Sequence, residues 1–486
     1  MTLPRISQKI AVAVVFVAAM FISILDTTIV NVALPAIGRS FHVAATSVDS
    51  VSIFFLVSLA VFIPASGWLG DRFGGKRILL GAIGVFTAAS ALCGLATNMT
   101  ELVLFRVLQG VGGGMLMPVG MAMLYRAYPP EERVRASSVL TFPTALAPAS
   151  GPVLGGLLVS DVSWRWVFYV NVPIGLAAIV FGLLFLDSTP ESHPGRFDLA
   201  GFLLAGLGLA SLMYGLSEGP VKSWDSPDVL GTIALGLALL GVLVPHELRA
   251  PRPIVDLRLL SNRLLRAGTI AILAITGSLL GMLYVITLFY QDGRHLSALA
   301  AGLSTFPEAI GVMVGAQLAS RVLYPRLGPR RHAALGAVGM ALFIAALGLV
   351  GATTSLWVAR ALLFGMGLCL AQVFVPVQAA SFATITPAAT GRASTMFNAL
   401  RQLGGAIGVA VFTSVIVAIG AVHIIAHHAV ANLASYHAAL YTAAGFALLG
   451  ALAALRISDE DAAATIQRSG QHEPAQAERG LVAIEL

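Results

Sequence analysis

The chain has 486 residues, of which 57% are hydrophobic and only 11% are charged, and its formal net charge at pH 7 is +6. Soluble domains carry about 25% charged residues, so this composition excludes an ordinary soluble enzyme. A mean hydropathy of +0.88 also excludes a disordered chain. The basic residues lie in short runs between apolar segments, which argues against a nucleic acid partner.

Apolar segments of membrane-spanning length follow one another from about residue 10 to residue 455. A membrane-spanning helix needs about 20 predominantly apolar residues. Counting the apolar runs between polar breaks gives fourteen, so we predict an all-α polytopic membrane protein with fourteen transmembrane helices in the lipid bilayer. The first apolar run continues without a cleavage site into Leu25-Asp26-Thr27-Thr28, so we expect it to be retained as a helix.

Lysine and arginine are distributed unevenly between alternate loops. If the N-terminus is cytoplasmic, the inside segments hold 22 of the 29 basic residues, the outside segments hold 4 and the spans hold 3. Basic residues accumulate in the cytoplasmic loops of membrane proteins. The bias therefore predicts that both termini are cytoplasmic and that the number of spans is even.

The chain contains an internal repeat. The segment Asp71-Arg72-x-Gly74-x-Lys76-Arg77, after the second span, aligns with Pro325-Arg326-x-Gly328-x-Arg330-Arg331, after the tenth. Leu102-x-x-x-Arg106 in the fourth span likewise matches Leu356-x-x-x-Arg360 in the twelfth. Helices 1–6 therefore resemble helices 9–14. Such repeats are typical of transporters, whose substrate site lies between the repeats near the midplane of the membrane.

The repeat predicts four regions. Residues 1–186 form an N-terminal six-helix half, and residues 187–266 form two linker transmembrane helices with a cytoplasmic segment. Residues 267–455 form a C-terminal six-helix half, and residues 456–486 form a polar cytoplasmic tail.

Four motifs resemble those of the major facilitator superfamily, in its fourteen-helix drug:proton antiporter branch, which includes bacterial exporters of the QacA and EmrB type. They are Leu25–Pro35 in the first span, Gly67–Arg77 after the second, Leu102–Gly110 in the fourth and Ser150–Gly156 in the fifth. The resemblance implies a gating loop that contains Gly67, Asp71, Arg72, Gly74 and Lys76. It also implies an antiporter motif made of Gly151, Pro152, Gly155 and Gly156.

Asp26 and Arg106 are the first candidates for proton coupling, because each places a charge inside an apolar span. An ionised carboxylate there costs several kcal/mol unless it is paired or hydrated, and desolvation raises its proton affinity. A nearby arginine lowers that affinity, so movement between the two groups can switch proton release. The alternatives are a carboxylate that bonds local backbone in a helix kink and an arginine tied to backbone carbonyls or to Gln109.

Glu308, in the tenth span, is the third candidate for proton coupling and also a candidate for binding a cationic substrate. Its alternative is a lumen-facing residue near the outer mouth that meets only water. We expect the substrate cavity to be lined by Asp26, Asn31, Gln109, Met115 and Glu308. For Met115 the alternative is ordinary core or lipid packing.

The gating loop and the antiporter motif have mechanical interpretations. Asp71 and Arg72 are expected to form a weak latch with Arg126, Arg133 or Arg135, although basic residues here also orient the chain. The Gly-Pro motif is expected to bend the fifth helix and to allow close contact between helices, and packing alone is the alternative.

These observations predict a proton-coupled antiporter that exports hydrophobic, cationic drugs across the bacterial inner membrane by alternating access. Such a protein is not an enzyme, and it uses the proton gradient with no cofactor and no metal. A narrower transporter of a metabolite, lipid or siderophore is the alternative, and a non-transporting sensor is a third class. The sequence does not decide whether a periplasmic adaptor takes part.

The predicted orientation has a direct test. In a chain whose Cys93 and Cys369 are replaced by serine, single cysteines are introduced at Ser223 and at Ser458. We expect an impermeant maleimide to label position 223 in intact cells and position 458 only after permeabilisation. The reverse pattern would contradict an inside location for both termini.

Overall fold

The computed structural model describes residues 6–43, 48–188, 195–420, 422–425 and 428–466. Residues 1–5 and 467–486, which include most of the predicted polar tail, lie outside the described residues.

Long helices account for most of the described chain. In chain order they are α1 (Gln8–Phe41), α2 (Ser50–Phe73), α3 (Gly75–Leu95), α4 (Met99–Ala127), α5 (Arg133–Asp161), α6 (Asn171–Phe185), α7 (Leu199–Lys222), α8 (Pro227–Arg249), α9 (Arg263–Leu288), α10 (Ala298–Leu318), α11 (Tyr324–Leu347), α12 (Leu356–Ser381), α13 (Thr390–Ile419) and α14 (Leu433–Ala454). A short helical turn, Trp166–Tyr169, precedes α6.

Polar residues at the helix starts explain where several helices begin. Asn98 accepts a hydrogen bond from the amide of Glu101 at 2.9 Å, and Asp198 accepts one from the amide of Gly201 at 2.9 Å. Asn262 serves α9 in the same way. A side-chain oxygen at this position satisfies one of the amides that a helix start leaves without a partner.

The packing of α1–α6 is repeated by α9–α14. In the first set α2 packs against α4, α3 against α4, and α1 against α5 and α6. The corresponding pairs in the second set also pack, namely α10 with α12, α11 with α12, and α9 with α13 and α14. The halves meet where α5 packs against α10 and α2 packs against α13. The inserted helices α7 and α8 pack on each other, and α7 also packs against α2 and α13.

The described helical stretches of membrane-spanning length differ in number from the fourteen predicted spans. Thirteen helical stretches among the described residues are long and apolar enough to cross a membrane. The longest, Leu299–Leu347, has 49 residues because α10 runs through a π-helical turn, Ala319–Leu323, into α11. A short antiparallel hairpin, Val422–Ile425 with His428–Ala431, joins α13 to α14, which departs from the all-α expectation.

The repeated loops share one backbone feature. Gly74, between α2 and α3, has φ +85°, and Gly328, at the aligned position in the second half, has φ +70°. Residues with a Cβ rarely adopt these values. The aligned glycines therefore form equivalent turns in the two halves.

The turn at Gly74 predicts a cost for adding a side chain. We expect Gly74→Ala to lower the stability of the folded protein by about 1–3 kcal/mol, because alanine is strained at this φ. The apparent melting temperature in detergent measures the effect. Gly81→Ala is the matched control, since no atom lies within 4 Å of a Cβ at this position in α3. Equal melting temperatures for the two variants would contradict the strain argument.

Candidate functional site

A buried polar cluster inside the first half surrounds Asp26. The Asp26 side chain is 0% exposed. Its Oδ2 accepts a hydrogen bond from Arg106 Nη1 at 2.5 Å. Its Oδ1 accepts one from Gln109 Nε2 at 2.8 Å and one from Asn171 Nδ2 at 3.0 Å. All of these bonds have Asp26 as the acceptor, as an ionised carboxylate requires.

Arg106 ties this cluster to three helices. Its side chain is 1% exposed, and besides Asp26 it binds Gln109 Oε1 at 2.6 Å within α4. Its Nε donates to the Val51 carbonyl of α2 at 3.0 Å. Its guanidinium carbon lies 4.1 Å from the centre of the Phe55 ring. The buried cation is therefore compensated by a carboxylate, a carbonyl and an aromatic face. The predicted pairing of the two charges is present, and their role in proton coupling stays a prediction.

Sequence reasoning missed Asn171 and Ser90 as members of this cluster. Asn171 is 0% exposed and donates to Asp26 and, at 3.1 Å, to Ser90 Oγ. Ser90 in turn donates to the Phe168 carbonyl at 2.9 Å. The available signal was an asparagine in the Trp164–Pro173 segment, among apolar residues at the start of α6. Cys93 also reaches the cluster, with its Sγ 3.8 Å from Gln109 Oε1.

The residues expected to line a substrate cavity lie in different environments. Asp26 and Gln109 are both 0% exposed, so neither reaches a solvent-accessible surface in this conformation. Asn31 is exposed, and its Oδ1 accepts a hydrogen bond from Ser52 Oγ at 3.2 Å. Met115 is partly buried and packs against the main apolar core. Their predicted contact with substrate stays a prediction.

Glu308 lies in α10, directly after Pro307. Its backbone packs tightly on α12, since a Cβ on Gly367 would lie 2.1 Å from the Glu308 carbonyl oxygen. Its side chain is partly buried and has no hydrogen bond or ion pair with any residue that the structure describes. The Glu308 carboxyl group is therefore not compensated by any residue that the structure describes.

The gating loop contributes an ion pair at one end of the bundle. Asp71, at the end of α2, binds Arg126, at the end of α4, at 2.6 Å. Arg126 Nε also donates to the Pro387 carbonyl of the second half at 3.1 Å. Of the three arginines proposed as latch partners, Arg126 makes the contact with Asp71. Arg133 instead binds the carbonyls of Phe382 and Ala383, also in the second half.

Further contacts close the same end, which we call the gate end and define by Asp71, Arg126 and Arg133. Ser394 donates to the Pro118 carbonyl at 2.7 Å, and the Tyr125 and Phe382 rings stack with centroids 4.6 Å apart. These contacts, with those of Arg126 and Arg133, join α4 or α5 to the second half, whereas the Asp71–Arg126 pair joins α2 to α4 within the first half. The gate end is therefore shut in this conformation.

Two other gating-loop residues, Gly67 and Lys76, make close contacts with neighbouring backbone or side chains. Gly67 allows α2 to approach α13, since a Cβ there would lie 2.8 Å from Thr395 Oγ1. Lys76 donates to the carbonyls of Leu183, at 3.2 Å, and Leu186. Arg72 is exposed.

The antiporter motif packs on both halves. A Cβ on Gly151 would lie 2.2 Å from Thr28 Oγ1, and one on Gly155 would lie 3.1 Å from the Ile29 side chain, so both glycines admit α1. Pro152 faces the other half, because a Cβ on Gly302 of α10 would lie 2.7 Å from Pro152 Cβ. Gly156 faces open space. The motif thus places α1, and with it Asp26, between α5 and the rest of the first half.

No group of three or more His, Cys, Asp or Glu residues is arranged to hold a metal ion in the part of the chain that the structure describes.

The gate contacts predict a shift in conformation when Arg126 is replaced. Arg126→Gln removes a partly exposed ion pair, worth about 1 kcal/mol or less, and weakens a contact to the second half. We expect the population that is open at this end to rise by up to roughly fivefold. Spin labels at Arg135 and Ala388, measured by pulsed electron resonance, report the distance between the halves.

Lys9→Gln is the matched control for this experiment. It breaks an ion pair of similar length, Lys9–Glu132 at 2.7 Å, which like Asp71–Arg126 lies within the first half, but it removes no hydrogen bond equivalent to the one from Arg126 to Pro387. An unchanged distance distribution in Arg126→Gln, or the same change in both variants, would contradict the gate assignment.

Comparisons with known proteins agree with this architecture. The family model described as Major Facilitator Superfamily matches residues 16–409. The chain is 32% identical over 405 residues to the multidrug resistance protein B homolog of Mycobacterium tuberculosis, covering 82% of this chain and 74% of that protein. It is 31% identical over 403 residues to the tetracenomycin C resistance and export protein of Streptomyces glaucescens, covering 83% and 74%.

A solved structure shares the fold. The human organic anion transporter MFSD10 superposes with a TM-score of 0.66 at 17% identity, covering 92% of this chain and 99% of that one. Two of these proteins are named for transport, the export protein of Streptomyces glaucescens and the human organic anion transporter. The family match, the identities and the many apolar helices together show that this chain is a multi-pass membrane protein that belongs to the major facilitator superfamily, with relatives in its drug-efflux branch.

Proposed function

We propose that this protein exports hydrophobic compounds, including lipophilic cations, across the bacterial inner membrane in exchange for protons. The relatives named for multidrug resistance and for tetracenomycin export support the efflux part. Proton exchange is our own inference from the cluster around Asp26. The narrower metabolite, lipid or siderophore transporter stays the alternative.

The observation that carries the proposal is the fully buried pair of Asp26 and Arg106. An ion pair inside a membrane protein is costly to maintain, so such residues usually mark an ion or proton pathway. Proton uptake by Asp26 would remove the negative charge that Arg106 faces. One oxygen of the Asp26 carboxyl group would also become a hydrogen-bond donor. It would then face other donors, because Arg106, Gln109 and Asn171 all donate to Asp26 in this structure. Protonation therefore weakens the contacts that hold α1 against α4 and α6, and we propose that α1 then moves relative to these helices.

The gate contacts connect that movement to alternating access. Gly151 and Gly155 hold α1 against α5, and α5 also carries Arg133, which binds the second half. A change at Asp26 is thus transmitted by one helix to the gate end. We propose that the gate end is cytoplasmic, as the basic loops predict, and that the structure represents an outward-facing conformation.

We also propose that the 49-residue stretch Leu299–Leu347 contains two spans, which gives fourteen in all. Its length is more than twice the roughly 20 residues that one span needs. The turn at Gly328, with φ +70°, interrupts the helical backbone inside it.

Ethidium and tetraphenylphosphonium are suitable probes of the proposed activity, because both are lipophilic cations.

Replacement of Asp26 tests the proton exchange. Proteoliposomes with an acidic interior and a trapped pH dye receive ethidium outside. In the wild type we expect ethidium to accelerate the loss of internal protons, and in Asp26→Asn we expect no response, because the amide does not titrate. A response of wild-type size in Asp26→Asn would refute the proposed role of this carboxylate. A folded wild type that does not respond to lipophilic cations would favour the narrower transporter.

A double variant separates coupling from folding. Asp26→Asn alone leaves the Arg106 charge buried without its counterion, and breaking a buried pair this way costs about 3–5 kcal/mol. The variant Asp26→Asn with Arg106→Gln removes both charges. We expect it to regain thermal stability and still lack proton exchange. Recovery of exchange together with stability would show that Asp26 has a structural role only.

A further inference from the structure

Two opposite charges inside the second half have no partner among the residues that the structure describes. Arg401, in α13, has no hydrogen bond or ion pair with any described residue, and the same holds for Glu308 in α10. The other two arginines inside the spans do have partners, since Arg106 binds Asp26 and Arg360 donates to Ser304 Oγ at 3.3 Å. Charges within a bilayer normally pair or border a water-filled space, so these two require an explanation.

The side of α13 that carries Arg401 is turned towards the interior. Successive residues of a helix are about 100° apart, so Leu403 lies on the opposite side from Arg401. Leu403, with Ala399 and Ala406, packs against a cluster formed by α2 and α7. Asn398, one turn before Arg401 on the same side, reaches Met121 of α4 at 3.6 Å. Arg401 is nonetheless partly exposed, so neighbouring side chains do not cover it completely.

Glu308 is also directed away from lipid. The outer face of α10 carries the exposed side chains of Leu303, Ile310 and Val314, which are 49%, 41% and 49% exposed. Glu308 is five residues from Leu303, so its side chain lies about 140° around the helix axis from the side chain of Leu303 on the outer face. It therefore points into the molecule, on one of the helices that pack against the first half.

Because arginine stays protonated, Arg401 keeps its charge in every step of a transport cycle. Two like charges at 4–6 Å repel by several kcal/mol where the effective dielectric constant is about 20. A purely cationic substrate near Arg401 is therefore disfavoured, whereas a carboxylate is well suited to the planar guanidinium. The second half offers one group for an anion and one for a cation.

We propose that Arg401 is an anion subsite of the transport cavity, and that Arg401 and Glu308 together favour hydrophobic substrates that carry both an acidic and a basic group. This inference rests on the proposed export function and deepens it, since it names the substrate class. Lipophilic monocations remain substrates through Glu308, and zwitterions gain a second contact. The first half, whose charges are paired with each other, contributes no free charge of this kind in its described spans.

A matched pair of dyes tests the subsite. Rhodamine 110 carries a carboxylate and a delocalised cation, and rhodamine 123 is its methyl ester and carries only the cation. Uptake of each dye into proteoliposomes with an acidic interior is measured for wild type and Arg401→Gln. We expect Arg401→Gln to reduce the uptake rate of rhodamine 110 by about tenfold or more and to leave that of rhodamine 123 unchanged or higher. Arg401→Lys, which keeps the charge and loses the planar geometry, is expected to be intermediate.

Arg360→Gln is the control, because it removes the same charge from the same half at a residue bonded to Ser304. It should leave the ratio of the two uptake rates unchanged. If Arg401→Gln left the ratio of the rhodamine 110 and rhodamine 123 uptake rates unchanged, this result would overturn the subsite.

Direct binding separates this inference from the export function. The anisotropy of rhodamine 110 is titrated with purified wild type and with Arg401→Gln. An affinity for rhodamine 110 that falls by about tenfold in Arg401→Gln supports the subsite, even if the wild type transports neither dye. Absence of transport of both dyes would count against the proposed export function and not against the subsite. Equal affinities, or no binding to the wild type, would overturn the subsite whatever the transport assay shows.

Discussion

The ion pair between Asp26 and Arg106 constrains the whole first half. Neither charge is accessible to solvent, and besides each other the two groups are satisfied by Val51 of α2, Gln109 of α4 and Asn171 of α6. Removing one partner of such a pair typically costs about 3–5 kcal/mol, a large fraction of the stability of a folded protein. α1, α2, α4 and α6 must therefore hold their relative positions for as long as both groups are charged. A change of charge at Asp26 is the event most able to move them.

The two halves repeat one another in backbone and differ in charge. Gly74 and Gly328 form equivalent turns, and the helix pairs in contact correspond. Arg106 and Arg360 occupy aligned positions, but Arg106 binds a buried carboxylate, and Arg360 binds a serine hydroxyl. The second half instead carries Glu308 and Arg401, whose charges are not compensated by described residues. This difference suggests a division of roles, with protons handled in the first half and substrate charge recognised in the second.

The gate end is held by many weak contacts, whereas the Asp26 cluster is held by few strong ones. The Asp71–Arg126 pair is partly exposed, and hydrogen bonds to carbonyls such as Pro118 and Pro387 each contribute about 1 kcal/mol. A set of small contributions opens and closes within a cycle without a large barrier. The fully buried ion pair and the individually weak gate contacts thus match the demands of a stable coupling site and a reversible closure.

The sequence by itself determined the class of protein, the approximate positions of the long helices, the repeat and the charged residues that lie within apolar segments. These properties depend on local composition and on periodicity within about 20 residues. It also indicated three arginines, Arg126, Arg133 and Arg135, as possible partners of Asp71 in the gating loop. Only the tertiary structure showed that Asn171 and Ser90 complete the Asp26 cluster, and that Arg133 binds the other half rather than Asp71.

The sequence could not show these contacts because the groups that meet lie far apart along the chain. Asp26 lies 80 residues from Arg106 and 145 from Asn171, and Arg133 lies 249 from Phe382. Hydropathy places each helix in the membrane, but the rotation of a helix about its axis depends on the neighbours it packs against. That rotation decides whether a polar side chain meets another, as Asp26 does, or has no partner among the described residues, as is the case for Arg401.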